Sequence, residues 1–204
     1  HRRFGKTVCM INHLIKSALT CKEKNPRFAY LAPTFKQAKS IAWDYMKQFT
    51  DKIPNTKFNE TELRVDLPNG ARITLLGSDS PDGLRGIYLD GCVIDEYANV
   101  NSRLFPEIIR PALSDRKGYC VFIGTPAGMN NNFYELYQHA NGADDWFNYK
   151  AKASDTKIVD EDELVKAKEV MGEKKYNQEF ECDWIANIEG AVYGDIVGEM
   201  DDSN

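Results

Sequence analysis

The sequence of 204 residues lacks the signatures of several protein classes. Its 26 Lys and Arg residues are outnumbered by 31 Asp and Glu residues, so a uniformly basic nucleic-acid coat is excluded. The five cysteines are widely spaced and form no CxxC or Cys/His cluster, so neither a zinc site nor a disulfide framework is indicated. A reducing, cytosolic setting suits such cysteines best. No apolar run is long enough to span a bilayer.

What the sequence does contain is an alternation of apolar strands and amphipathic helices, which predicts an α/β fold with a mainly parallel sheet flanked by helices. We predict strands at Phe28–Leu31, Leu63–Leu67, Arg72–Leu76, Cys92–Ile94, Tyr119–Ile123 and Phe147–Ala151. We predict helices at Val8–Leu19, Thr34–Phe49, Leu104–Leu113, Asn131–His139, Asp160–Met171 and Glu173–Cys182. Pro68-Asn69-Gly70 is a turn signal between two strands, and Thr34 to Gln37 is a capping-box pattern.

The chain opens on His-Arg-Arg-Phe-Gly-Lys-Thr, directly before the first predicted helix. Gly-Lys-Thr at a helix start is the second half of a Walker A loop, whose backbone N–H groups face nucleotide phosphates. Gly5 lets the backbone approach closely, Lys6 reaches the phosphate oxygens and the Thr7 hydroxyl ligates Mg²⁺. The alternative is a chance tripeptide before a surface helix, since the leading glycine of the full pattern would precede residue 1.

An apolar strand, Cys92-Val93-Ile94, runs directly into Asp95 and Glu96, which is the Walker B arrangement. Asp95 is predicted to hold the Mg²⁺ shell and Glu96 to polarise the attacking water. A parallel strand places both carboxylates at the carboxyl edge of the sheet, where ligands of such folds bind. The alternative is an ordinary buried strand that is followed by polar residues.

A second apolar strand ends in Gly124-Thr125-Pro126. A polar side chain at such a strand end can sense the γ-phosphate and pass its loss to a neighbouring element, although the tripeptide alone also fits a plain turn. The order of parts decides between these interpretations. A lysine loop, an Asp-Glu strand and a Gly-Thr-Pro strand in succession are typical of the additional-strand class of P-loop NTPases, and they predict one ATP and Mg²⁺ site.

Three further features narrow the class: the arginines inside the loop, Tyr30-Leu31-Ala32-Pro33 on the next strand, and Leu84-Arg85-Gly86 before the Walker B strand. Together with Gln178-Glu179-Phe180 they resemble the large terminase subunit of tailed phages over nearly the whole chain. The resemblance implies an ATPase domain that drives DNA into a procapsid, in a protein that also carries an endonuclease domain. It implies double-stranded DNA, portal protein, small terminase subunit and a homo-oligomeric ring as partners, without a membrane.

The resemblance also assigns roles to residues. Arg2 matches the Walker A arginine, which stabilises charge on the γ-phosphate within one subunit, and Arg85 matches an arginine finger that reaches a neighbour's ATP. Arg2 and Arg85 are therefore predicted to be catalytic together with Glu96. The alternative for Arg2 is a surface charge at the helix start, and the alternative for Arg85 is a structural arginine before a glycine turn. Arg3 and Phe4 are placed with the ATP-binding residues, Arg3 being alternatively a surface or DNA-proximal charge.

By the same resemblance, Gly124, Thr125 and Pro126 form the coupling motif. We expect residues 1–185 to be the ATPase domain, with a small helical lid region at about 155–185, and residues 186–204 to be a linker. The first core strand and the adenine-binding segment are expected to be missing, because the chain opens inside a motif. The acidic residues Asp195, Glu199, Asp201 and Asp202 are expected to belong to the linker and not to a metal cluster.

Two rival functions remain open from the sequence. One is a helicase-type translocase of the same ATPase class, and the other is a nucleotide-gated DNA-binding module without turnover. Lys36, Lys39 and Lys47 could form a basic face on one helix, but such a charge run is usually only solvated. The predicted location is the host cytoplasm, transiently at the procapsid portal.

Overall fold

The computed structural model describes residues 1–79 and 81–185. The predicted linker, 186–204, with the acidic residues Asp195, Glu199, Asp201 and Asp202, lies outside the described residues. The chain divides into two compact units. Gly5–Gly124 form one, which we call the sheet unit. His1–Phe4 and the described residues from 125 to 185 form the other, which we call the helical unit.

A six-stranded sheet organises the sheet unit. Its strands are β1 (Arg27–Ala32), β2 (Lys57–Asn59), β3 (Arg64–Asp66), β4 (Arg72–Gly77), β5 (Gly91–Ile94) and β6 (Tyr119–Phe122). They lie in the order β2-β3-β4-β1-β5-β6. β1 pairs in parallel with β4 and β5, and β5 with β6, whereas β2, β3 and β4 are antiparallel. The predicted mainly parallel sheet is therefore confirmed, with an antiparallel extension at one side.

The helices of the sheet unit follow the predicted order, with two local departures. The helices of the sheet unit are α1 (Lys6–Thr20), α2 (Phe35–Ala38), α3 (Asp44–Thr50) and α4 (Arg110–Ser114). Lys39–Trp43 form a π-helical turn between α2 and α3, and Phe105–Ile109 form one before α4, where regular helix was predicted. The capping box is confirmed, because the Gln37 N–H donates to the Thr34 hydroxyl at 3.2 Å and the Thr34 N–H to Gln37 Oε1 at 3.1 Å.

The apolar face of α1 packs in one core with the sheet and with buried residues of α2, the π-helical turn Lys39–Trp43 and α3. Ile11, Leu14 and Ala18 recur at helical spacing and are fully buried in this core. Phe28 and Tyr30 lie on one face of β1 and belong to the same core, while Ala29 and Leu31, on the opposite face, are also fully buried. A central parallel strand is covered on both faces of the sheet, so burial of both sets of side chains is expected. The sheet unit is thus held by α1 against β1 and its neighbours.

The helical unit consists of short helices. They are α5 (Asn132–Ala140), α6 (Ala153–Thr156), α7 (Glu161–Met171) and α8 (Glu173–Phe180). Asn131 and Asp160 cap α5 and α7 with their side chains, and Gly172 (φ 77°) separates α7 from α8. The ring of Trp184 packs against Phe133, Tyr134 and Tyr137 of α5. No residue of α7 is buried, whereas Phe180 of α8 is.

One predicted element was wrong: Phe147–Ala151 forms no strand. A strand needs a neighbour whose N–H and C=O groups complete its ladder, and the six described strands of the sheet do not include this segment. The side chains of Phe147 and Tyr149 are 88% and 70% exposed, so they are not core residues. Among the described helices, we find none with the length and apolar character needed to cross a membrane.

Candidate nucleotide-binding site

The carboxyl end of β5 carries the two predicted Walker B carboxylates. The Asp95 N–H still donates to Leu31 O at 2.8 Å, so strand pairing with β1 continues one residue past β5 and fixes the backbone there. The Asp95 side chain is buried, and its Oδ1 accepts a hydrogen bond from the Glu96 N–H at 2.8 Å. Glu96 has left-handed backbone angles (φ 49°, ψ 46°), which are unfavourable for a residue with a side chain.

The start of α1 lies opposite this strand end. Gly5 precedes α1 with φ 80°, and a Cβ built on it would meet nothing within 4 Å beyond its chain neighbours, so the space beside Gly5 is open. Lys6 and Thr7 are the first two residues of α1. The Thr7 hydroxyl donates to Asp95 Oδ2 at 2.9 Å. Two side chains predicted separately from the loop and from the strand therefore meet.

Tyr30, for which the sequence predicted no role in the site, contacts the same carboxylate. Its side chain is fully buried, and its hydroxyl donates a short hydrogen bond to Asp95 Oδ2. Burial, reinforced by the Asp95 charge, raises the pKa of the Tyr30 hydroxyl far above its ordinary value, so the hydroxyl keeps its proton and donates. A tyrosine in an otherwise apolar buried strand was the only available signal.

These groups fit a magnesium ion chemically. Mg²⁺ prefers oxygen ligands and is usually bound through one or two carboxylates together with substrate phosphates. The Thr7 hydroxyl and the Asp95 carboxylate supply such oxygens, and their atoms already converge at 2.9 Å. The open space in front of Gly5 and the positive end of the α1 dipole suit phosphate oxygens. The arrangement can therefore bind a phosphate chain with its cation.

Arg85, the predicted arginine finger, lies at the surface of the sheet unit. Its Nη2 is 3.6 Å from Glu107 Oε2, and its side chain is 54% exposed. Glu107 is also bound by two guanidinium nitrogens of Arg103, at 3.0 and 2.8 Å. This surface pairing orients Arg85 while leaving half of its side chain in solvent.

Arg2, Arg3 and Phe4 of the predicted loop belong to the helical unit. The Arg2 N–H donates to Glu179 O at 2.9 Å, and its guanidinium lies 3.7 Å from the Glu179 carboxylate, which Lys175 contacts at 3.1 Å. The predicted Walker A arginine therefore contacts α8, in the segment predicted as the lid. Arg3 lines a surface cavity beside the start of α7.

The predicted coupling motif begins two residues after the end of β6. The Ile123 N–H donates to Ile94 O at 2.9 Å, and the Tyr97 N–H donates to Ile123 O at 3.2 Å. The residue before Gly124 is thus bonded to the strand and to the turn that flank Asp95 and Glu96. Gly124 is the last residue of the sheet unit, and Thr125 and Pro126 belong to the helical unit.

The basic face considered for α2–α3 is partly neutralised. Lys47 lies 3.2 Å from the Glu60 carboxylate and 3.6 Å from Asp44, and its ammonium group lies over the Trp43 ring. The Trp43 indole and Lys47 lower the pKa of Glu60 through their hydrogen bonds, so the carboxylate stays charged beside the lysine. Lys47 is therefore a poor candidate for a phosphate contact in nucleic acid.

The sheet order and the meeting of Thr7 with Asp95 define the sheet unit as a P-loop NTPase fold. Comparison with known families identifies which one. The model of the family "Terminase large subunit, T4likevirus-type, N-terminal" matches residues 2–194. The chain therefore belongs to the terminase large subunit family and corresponds to its N-terminal part.

Individual relatives agree with this assignment. The large terminase subunits of Thermus phage G20c and Thermus virus P23-45 are each 30% identical over 126 residues, which is 52% of this chain and 26% of theirs. The matched segment thus spans about a quarter of the length of these curated relatives.

Solved structures agree as well. The large terminase ATPase domain of Thermus phage P74-26 has a TM-score of 0.74 at 21% identity, covering 90% of this chain and 86% of that one. The large terminase of another thermophilic bacteriophage, solved in complex with ADP, has a TM-score of 0.73 at 16% identity, covering 90% and 46%. At this identity the two structures support the fold.

Proposed function

We propose that this chain is the ATP-hydrolysing motor domain of a phage DNA-packaging enzyme and uses Mg²⁺ to hydrolyse ATP to ADP and phosphate. The hydrogen bond between Thr7 and Asp95 carries the proposal, because it joins the two halves of a phosphate and metal site from residues far apart in sequence. The complexes of the thermophilic bacteriophage terminase with ADP and with ATP-γ-S support the nucleotide assignment.

In the proposed reaction, Glu96 orients a water molecule and accepts its proton while the water oxygen bonds to the γ-phosphorus. The bond from the γ-phosphorus to the bridging oxygen breaks, and its electron pair stays on ADP. Lys6 and Arg2 balance the negative charge that develops on the phosphate oxygens. Mg²⁺, held by Thr7 and Asp95, would supply further charge neutralisation at the phosphates.

Hydrolysis is proposed to be coupled to DNA movement through Gly124, Thr125 and Pro126. This role is supported by the hydrogen bonds that join Ile123 to the Walker B strand and to the turn after Glu96. Arg85 is proposed to reach the ATP of a neighbouring copy in a ring, which its half-exposed side chain would allow.

We also propose partners and a location for the terminase to which this chain belongs. The proposed partners are double-stranded DNA, the portal protein and the small terminase subunit. The proposed location is the host cytoplasm and, transiently, the procapsid portal. An endonuclease domain is proposed for the part of the protein beyond this chain. Residues 1–185 are proposed as the ATPase domain, with the lid region at about 155–185.

The Glu96→Gln variant of the full-length protein tests the reaction. We expect nucleotide affinity to change less than about twofold, while turnover falls by about 100-fold or more, because general-base catalysis contributes about 10² to 10⁴ in rate. Glu23→Gln, the same change at an exposed surface glutamate, is the control and should keep wild-type turnover. Phosphate release and fluorescent nucleotide binding measure both quantities. Near wild-type turnover of Glu96→Gln would reject the assignment.

A further inference from the structure

The Asp95 carboxylate is held by three donors, and one of them lies outside the nucleotide motifs. Thr7 and the Glu96 N–H come from the Walker A and Walker B segments. The third donor is the Tyr30 hydroxyl on β1, 65 residues away in sequence. Both carboxylate oxygens are therefore engaged, and Tyr30 shares Oδ2 with Thr7.

The sheet explains how Tyr30 reaches this position. β1 and β5 are parallel, with Tyr30 opposite Val93, so Tyr30 and Asp95 stand on the same face of the sheet. The long phenol ring spans the step from Val93 to Asp95. Phe28 occupies the equivalent face of β1 two residues earlier and fills its part of the core without a hydroxyl.

The ring of Tyr30 and its hydroxyl therefore have different roles. The ring is sufficient for the core, whereas a fully buried hydroxyl is unfavourable unless it has a partner. The partner here is the carboxylate that is the candidate metal ligand. Outer hydrogen bonds of this kind fix the orientation of metal-ligating carboxylates, and their loss typically lowers metal affinity by about 10- to 100-fold.

We propose that Tyr30 is a positioning residue for the divalent cation that accompanies the nucleotide, acting by holding the Asp95 carboxylate through its hydroxyl. The inference rests on the proposed function, because it assigns Asp95 to the metal. It predicts that the hydroxyl contributes to metal affinity more than to folding, since the ring alone fills the core.

The test is Tyr30→Phe in the full-length protein, with Mn²⁺ as a paramagnetic probe. Titration of Mn²⁺ into the protein with ADP, followed by electron paramagnetic resonance and corrected for Mn²⁺ bound to free ADP, gives the metal dissociation constant. We expect about 10-fold weaker Mn²⁺ binding or more, while ADP binding in EDTA and thermal unfolding in EDTA stay close to wild type. Tyr119→Phe is the matched control, because Tyr119 is a partly buried tyrosine at the other end of the parallel strands. It should leave the metal constant unchanged.

The outcomes are distinct. If wild type binds Mn²⁺ with ADP and Tyr30→Phe binds it equally well, the role of Tyr30 is overturned and the proposed function stands. If wild type itself shows no metal-dependent nucleotide binding, the proposed function fails. If Tyr30→Phe loses stability in EDTA and keeps its metal affinity, Tyr30 is a structural residue only.

Discussion

Gly5→Ala is the most informative single change, because its effects on stability and on nucleotide binding can be worked out separately. Gly5 has φ 80°, and an alanine in the left-handed region costs about 1–2 kcal/mol. The added methyl group would touch no protein atom within 4 Å, so packing contributes nothing further to this loss. It would, however, occupy the open space in front of α1 where we expect the phosphates to bind.

We therefore expect Gly5→Ala to lower the free energy of unfolding by about 1–2 kcal/mol and to weaken ATP binding by at least about tenfold, equivalent to about 1.4 kcal/mol. Gly70→Ala provides the matched control. Gly70 has φ 85°, belongs to the same unit and lies in the β3–β4 turn, where a Cβ would make only an ordinary contact of 3.7 Å with Asn25. It should lose similar stability and keep wild-type ATP affinity.

Urea unfolding and isothermal titration with ATP measure these two quantities. ATP binding by Gly5→Ala as tight as in wild type, together with the same stability loss as in Gly70→Ala, would contradict this expectation. The open space at the N-terminus of α1 would then not be the place where phosphate approaches.

Two further changes test the contact between subunits of the ring and the core of the sheet unit. Arg85→Ala should reduce turnover by about 10³-fold or more, whereas the control Arg103→Ala should stay active. Mixing Arg85→Ala with Lys6→Ala subunits should restore turnover above the sum of the separate proteins, and unchanged turnover at every mixing ratio would rule out action in trans. Leu14→Ala should lower the free energy of unfolding by about 2–5 kcal/mol, because Leu14 is fully buried on the inner face of α1. Leu19→Ala, at an exposed position of the same helix, should lower it by less than about 1 kcal/mol. Equal losses of the two variants in urea unfolding would contradict the assigned core.

Elements whose signal is local were predictable from the sequence. The β3–β4 hairpin follows from Pro68-Asn69-Gly70, because glycine adopts the positive φ that this turn requires. The start of α2 follows from the Thr34–Gln37 capping box, which needs only residues three apart. In such cases the atoms that stabilise the element are neighbours in the chain.

Elements that depend on distant partners were missed. Phe147–Ala151 has the composition of a strand, but a strand forms only where another strand completes its ladder, and composition does not reveal that partner. β2 was missed for the opposite reason, since its three residues carry no apolar alternation and are ordered by pairing with β3. The π-helical turn at Lys39–Trp43 likewise leaves the helical pattern of the sequence almost unchanged.

Asp95 shows the same distinction within the candidate site. Thr7 is 88 residues from Asp95, yet both were singled out from the sequence, because the Walker motifs restrict which residue types stand at these positions. Tyr30 is closer in sequence, yet its contact was not predictable, because phenylalanine would serve the core of β1 equally well. Only the parallel pairing of β1 with β5 places that hydroxyl beside the carboxylate. Residues proposed to touch a ligand are therefore recoverable from motifs, whereas residues proposed to hold them in position require the strand order.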